Sequence, residues 1–261
     1  MRSLSIAATG MMAQQLNVDV ISNNIANMTT AGYKRRRPEF QDLLYQNYRR
    51  IGASSSDVGT IVPTGVQIGL GVMPAAVYRI HEQGNMVATE NPLDLAIQGE
   101  GYFVVEQPNG EIAYTRDGSF QLSPQGLLVT ADGYTVSPGI TVPEDAIQVT
   151  IDPTGLVQAK IAGQIDPVDL GQLETAIFPN EVGLEAIGNN LLVETPASGP
   201  AALGTPGSAG YGELQQAFIE SSNVNPVAEI TALITAQRAY DLNSKVITAS
   251  DEMMATVTQL R

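Results

Sequence analysis

Apolar side chains recur every seven residues at both ends of this chain of 261 residues. Leu4, Met11, Val18 and Ile25 form one such series, and Leu233, Tyr240, Ile247 and Met254 form the other. A seven-residue repeat keeps an apolar seam on one side of a helix, where another helix has to cover it. The spacing predicts an N-terminal helix over residues 3–29, roughly 40 Å long at the α-helical rise. Thr29-Thr30-Ala31-Gly32 ends it, with Gly32 suited to the left-handed conformation past the last turn. Asn17, Ser22, Asn23, Asn24 and Asn27 make this helix a weak one in isolation, ordered only when packed. The C-terminal helix starts at Asn225-Pro226 and runs to about Gln259, roughly 50 Å. Asn225 caps free N–H groups, Pro226 is tolerated in the first turn, and Glu229 favours the positive end of the dipole.

The middle of the chain has a different period. Leu93, Leu95 and Ile97 alternate with Asp94, Ala96 and Gln98, as in a half-buried strand. Tyr102-Phe103-Val104-Val105 meets a turn at Pro108-Asn109-Gly110, and Asp117-Gly118 and Asp132-Gly133 repeat the hairpin device. Further strands are expected near 147–151, 156–161, 173–178 and 190–194. Residues 38–50 read as a short helix with Pro38 in its first turn, 51–71 as extended or looped, and 195–212 as a Pro/Gly/Ala/Ser-rich connector. The expected class is α+β. Residues 1–32 and 213–261 form a helical domain whose long helices pair as a coiled coil. Residues 33–71 are an extended connector with an insertion, and 72–212 form a mainly antiparallel β domain between the helices.

Charge divides the chain further. The net charge is −14, yet residues 1–50 carry seven Lys/Arg against three Asp/Glu. Overall acidity argues against a general nucleic-acid binder. The run Lys34-Arg35-Arg36-Arg37 is read either as a solvated patch or as a contact for the acidic part of a neighbouring copy; nucleic acid lacks the aromatic interleaving that would support it. No apolar run approaches the ~20 residues of a membrane span. Thr9, Gly10, Gln14, Gln15 and Asn17 break the N-terminal stretch too early for a cleaved signal peptide.

Candidate chemistry is sparse. The chain has no cysteine and one histidine, His81, which reads as an ordinary structural or surface residue. Gly99-Glu100-Gly101 and Gly69-Leu70-Gly71 each give half of a nucleotide-loop pattern and are better read as turns. Asp94 and Glu100 could in principle be paired carboxylates, although exposed strand residues are commonly acidic. Asn27-Met28-Thr29 matches a glycosylation acceptor inside an expected helix. No catalytic, cofactor-binding or metal-binding residue is assigned, and an enzymatic or small-molecule-binding β domain is the minor alternative.

Ile21-Ser22-Asn23-Asn24-Ile25-Ala26-Asn27 with Thr30-Ala31-Gly32-Tyr33-Lys34 resembles the N-terminal signature of the bacterial flagellar rod and hook family. Ile97-Gln98-Gly99-Glu100-Gly101-Tyr102-Phe103 resembles its internal motif. Ser222-Asn223-Val224-Asn225, Ala236-Gln237-Arg238-Ala239-Tyr240 and Asn243-Ser244-Lys245 resemble its C-terminal signature. Within the family, Phe40 to Gln46, the insertion to about residue 60 and Ile61 to Gly71 are similar to the distal-rod members, with proximal rod and hook-type subunits as the nearest alternatives.

The resemblance implies a structural protein that polymerises into a straight hollow shaft carrying torque from motor to hook. The expected partners are copies of itself, neighbouring proximal rod and hook-type axial proteins, L-ring and P-ring proteins, the flagellar type III export apparatus and the rod cap. Nucleic acid and membrane insertion are not expected. The implied location is the basal body, reached by export without a cleaved signal. Phe40 and Leu44 fit the family's Phe-x-x-x-apolar export element, or simply pack in a short helix. Asn23, Asn24, Asn27, Gly32, Asn223, Gln237, Arg238, Tyr240, Asn243 and Ser244 carry the family signature.

Overall fold

A computed structural model describes residues 2–49, 64–164 and 166–259. Most of the insertion expected within 51–71 lies outside these residues. The chain divides into two compact units: residues 1–25, 36–78 and 225–261 form unit 1, and 26–35 and 79–224 form unit 2. Both units are therefore assembled from discontinuous pieces of chain.

Unit 1 holds helix α1 (Arg2–Ala26), helix α2 (Pro226–Gln259) and strands β1 (Arg36–Asp42), β2 (Tyr45–Arg49), β3 (Val66–Gly69) and β4 (Val72–Arg79). β1 pairs with β4, and β2 with β3. The expected boundary of α2 is correct: the Asn225 side-chain oxygen accepts from the Val227 and Ala228 amides at 3.1 and 3.2 Å. The helix expected over 38–50 is instead β1 and β2. Pairing with β4 and β3 supplies the reason, and Asn24 fixes the start of β1. Its carboxamide accepts from the Arg36 amide and donates to the Arg36 carbonyl, both at 2.9 Å, mimicking a strand partner and holding the chain extended. The same side chain, 2% exposed, donates to Glu229 Oε2 on α2 at 3.3 Å. Asn24→Ala leaves the Arg36 backbone unpaired and should destabilise unit 1 by about 1–3 kcal/mol, read as an earlier loss of helical circular dichroism.

The helices run antiparallel along a polar, small-residue line. Ser250 Oγ lies 3.3 Å from Ser3 Oγ. A Cβ added to Gly10 would meet the Asn243 carboxamide at 3.0–3.2 Å, so the helices approach closely there. Asn24 meets Glu229 one end further along. Ascending α1 from Gly10 to Asn24 is matched by descending α2 from Asn243 to Glu229, two heptads each. Asn17 and Ala236 stand at the intermediate step and line one cleft. The expected apolar seams are thus displaced from the contact line by one residue on α1 and by four on α2.

Unit 2 is built from antiparallel pairings. Its centre is β7 (Tyr102–Glu106), which forms a hairpin with β8 (Ile112–Thr115). The other edge of β7 is shared, Tyr102 and Phe103 pairing with strand Thr175–Ile177, and Val105 and Glu106 with Thr135–Val136. Both faces of β7 are covered. Phe103 belongs to a core with Leu95, Ile97, Phe120, Val157 and Leu214, while Tyr102 and Val104 pack with Tyr114, Phe178 and Leu184. That double burial explains the uninterrupted run Tyr-Phe-Val-Val. A three-stranded sheet follows, of Ala146–Ile151, Leu156–Ile161 and Val168–Gln172. Strands Thr175–Ile177 and Leu191–Val193 complete the expected set.

Several expectations change here. The Asn109-Gly110 and Asp132-Gly133 turns form, with Gly110 and Gly133 at φ of 81° and 85°. Asp117-Gly118 is no hairpin; Gly118 is required because a Cβ there would lie 1.6 Å from the Leu95 carbonyl oxygen. The strand around Leu95 is buried on both faces rather than half-buried, with Leu95 and Ala96 at 0% exposure. Residues 195–212 are no loose connector, since Ala202–Gly204 is a strand on Thr175–Ile177 and Ser198 is buried. Residues 213–220, expected to open the helical domain, are strands Glu213–Gln216 and Phe218–Glu220 within unit 2. Residues 36–49 and 66–69, expected as connector, are strands of unit 1.

Candidate assembly surfaces and the ionic hub

The described surface of unit 1 is unusually apolar for its helices. On α2, Val227 is 75% exposed, Leu242 63% and Met253 61%, and Ile230, Ile234 and Val246 are also uncovered. These positions share one broad arc of the helix, away from the polar line that meets α1. An apolar stripe on a helix is ordinarily covered by another element. On α1, Met12 is 71% exposed. On the β2–β3 ribbon, Leu44, Tyr45, Tyr48, Val66 and Ile68 are exposed. A two-stranded ribbon with no covered face is marginal by itself.

The seam residues sit beside this surface. Leu4, Met11, Val18, Ile25, Leu233, Ile247 and Met254 are half-buried, and Tyr240 is exposed. Val18 and Tyr240 line one cleft with Gln15, Gln237 and Asp241. A larger cleft, about 760 Å³, is lined by Ala228, Thr231, Ala232, Thr235 and Ala236 of α2 with Gln14 and Asn17 of α1. Phe40 is half-buried on β1, whereas Leu44 is exposed beyond its end, so the two share no helical face.

Other signature residues gather in unit 2 around a carboxylate that the sequence did not single out. Glu220 is 1% exposed, and its two oxygens each receive a cation at 2.6 Å, Lys34 on Oε1 and Arg116 on Oε2. The Gly84 amide also donates to Oε1 at 2.7 Å. Lys34 donates a further bond to the Glu82 carbonyl. The Arg116 guanidinium turns its remaining donors on the carbonyls of Ile97, Gly99 and Gly101. Gly99 and Gly101 lie at φ of 110° and 136°, the freedom that aims those carbonyls at one arginine. Burial alone would raise the Glu220 carboxyl, but Arg116 and Lys34 outweigh it and hold the group below its ordinary value. Burial pulls the Lys34 ammonium down, with Glu220 pulling back.

Lys34 is therefore neither a solvated charge nor a contact left for a neighbour. Arg35 pairs with the exposed Glu82 at 3.3 Å, and Arg37 is exposed. Asn223 accepts from the Arg35 amide at 2.7 Å and donates to the carbonyls of Ile80 and Glu82. Gly32, at φ of 66°, donates its amide to the Glu220 carbonyl. Asn27 accepts from Thr30. Asn23, Gln237 and Arg238 are on exposed sides of their helices, and Ser244 is half-buried.

Arg116 and Glu220 were missed because their partners are far apart in sequence. One signal was available: Arg116 is one of three basic residues between 79 and 224, set among acids, and such a charge has a partner when buried. His81 is largely buried, with Nδ1 2.8 Å from the Tyr102 hydroxyl and 3.4 Å from Glu181. Asp94 is buried and accepts from Asn91, while Glu100 is exposed in its turn. Among the described residues, no cluster of ligating side chains suits a metal, and no helix is long and apolar enough to cross a membrane.

Residues 4–34 match the family described as flagella basal body rod protein. Residues 96–159 match the flagellar hook protein FlgE/F/G D1 domain, and residues 215–260 the flagellar basal body rod FlgEFG protein C-terminal. The flagellar basal-body rod protein FlgG of Caulobacter vibrioides is 59% identical over 261 residues, covering 100% of both chains. That of Agrobacterium fabrum is 52% identical over 259 residues, 99% of each chain. That of Bacillus subtilis is 39% identical over 266 residues, 100% of this chain and 99% of its own. With three family matches falling on the helices and the hub, and full-length relatives at this identity, the chain belongs to the flagellar basal-body rod protein family.

Proposed function

We propose that this chain is a structural subunit of the flagellar distal rod, whose copies polymerise into a straight hollow shaft carrying torque from motor to hook. The observation that carries the reading is the uncovered apolar surface of α2, which one subunit leaves in water. In this reading α1 and α2 pair as a coiled coil, and the seam residues flanking the contact line are covered by neighbouring copies. Contacts are heterologous, one face of a copy meeting a different face of the next, which generates an open helical assembly. Unit 2 forms the outer layer. The acidic character of the chain beyond residue 50 suits a surface that turns inside the L-ring and P-ring proteins without sticking. Proximal rod and hook-type axial proteins adjoin its ends. Subunits travel unfolded through the type III export apparatus, without a cleaved signal, and are placed under the rod cap; Phe40 and Leu44 serve as the export element in an extended chain.

The test is assembly of the purified full chain. Raising its concentration should give straight tubes by electron microscopy. Val246→Asp puts a charge on the uncovered face of α2 and should raise the concentration needed for tubes at least tenfold, with unit 2 melting unchanged. A chain that stays monomeric at every concentration, with both helices fully ordered, overturns the proposal.

A further inference from the structure

Strand Leu95–Gln98 (β6) has one ladder partner among the described residues, the strand Glu213–Gln216, with Leu95 opposite Gln216 and Gln98 opposite Glu213. Strand Met86–Ala88 (β5) likewise has only Phe218–Glu220. Both partners lie in one short segment near the end of unit 2. Leu214, on that segment, is 2% exposed and belongs to the main core. Gln216 reaches across to the Val149 carbonyl and accepts from the Ile151 amide, tying in the three-stranded sheet. Glu220 then supplies the anion for Lys34 and Arg116.

Without this segment, unit 2 would contain a strand of the main core, Leu95–Gln98, with an unpaired ladder edge, and an arginine lacking its counter-ion. An unpaired buried backbone and an uncompensated buried charge are each costly, and together they rival the stability of a small domain. We infer that residues 213–224 are a closing clasp: unit 2 does not complete its fold until this segment docks and Glu220 seats between Lys34 and Arg116. The hairpin β7–β8 and the strands around it stay open to exchange before that step, although they lie a hundred residues earlier. For an exported chain, unit 2 then cannot complete its fold until residues 213–224 stand on the same side as residues 79–161. That consequence rests on the export reading above; the folding order does not.

Pulsed hydrogen exchange during refolding of the full chain tests the clasp. Amides of Tyr102–Glu106 and Ile112–Thr115 should gain protection in the same kinetic phase as those of 213–220. Leu214→Ala should slow that shared phase about tenfold while leaving its membership unchanged. Protection of the β7–β8 hairpin in an earlier phase than 213–220 overturns the inference, as does a Leu214→Ala chain that folds at the parent rate. Neither outcome bears on whether the protein forms tubes.

Discussion

Glu220→Ala is expected to cost unit 2 about 3–5 kcal/mol. The substitution leaves the Lys34 and Arg116 charges in place, 8% and 7% exposed, with no anion between them. The loss exceeds the worth of the pairing itself, because two cations must then remain dry and uncompensated. It is a large share of the 5–15 kcal/mol that stabilises an ordinary domain. Denaturant unfolding followed by tyrosine absorbance reads it, since Tyr102 and Tyr114 are buried in unit 2 and the chain has no tryptophan. Glu82→Ala is the contrast. It breaks an ion pair of similar sign with Arg35, but at an exposed carboxylate, and should cost under about 1 kcal/mol. Equal effects from the two substitutions would mean that burial does not set the strength of the hub.

The stability of unit 2 should also fall as pH drops from 6.5 toward 5. Burial, with Arg79, Lys34 and Arg116 nearby, lowers the His81 imidazole from 6.5 to about 4. In this window the unfolded chain takes up a proton that the folded chain refuses, so unfolding gains as acid is added. The contribution is fully present above pH 6.5 and lost as pH falls toward about 4. Between pH 6.5 and 5 the change is about 1–2 kcal/mol. His81 is the only histidine, so few other groups titrate there. Half-buried Glu181, raised above its ordinary value by burial, contributes a slope of the opposite sign nearer its own titration. His81→Gln should remove most of the dependence between pH 5 and 6.5; an unchanged slope in that variant would assign it elsewhere.

How much of this was legible depended on range. Local devices were read correctly: the Asn225-Pro226 helix start, the Asn109-Gly110 and Asp132-Gly133 turns, and the strands ending near Ile151 and Ile161. Each is decided by neighbours within a few residues. The helix expected over 38–50 was wrong because its conformation is set by ladders with Val72–Arg79 and Val66–Gly69, partners outside the local window. The heptad series did mark two helices. Within one chain the close approach of those helices is carried by Ser3, Gly10 and Asn24, with the bulky seam residues flanking it. Glu220 was invisible because its cations stand 104 and 186 residues away. Parts of the signature motifs meet around that carboxylate, yet only three dimensions show why Lys34 and Gly99 share the Glu220–Arg116 hub.

The bond between the Arg35 amide and Asn223 has a consequence for the chain's two extremities. Ser3 and Ser250 touch across nearly the full length of the polypeptide, a closure whose entropy cost grows with the logarithm of the loop. Once positions 35 and 223 are fastened, that loop shrinks to the two arms outside them. The arms then meet at the high effective concentration of a short tether, on the order of millimolar. The β-rich unit thus acts as a molecular short-circuit that delivers one terminus to the other.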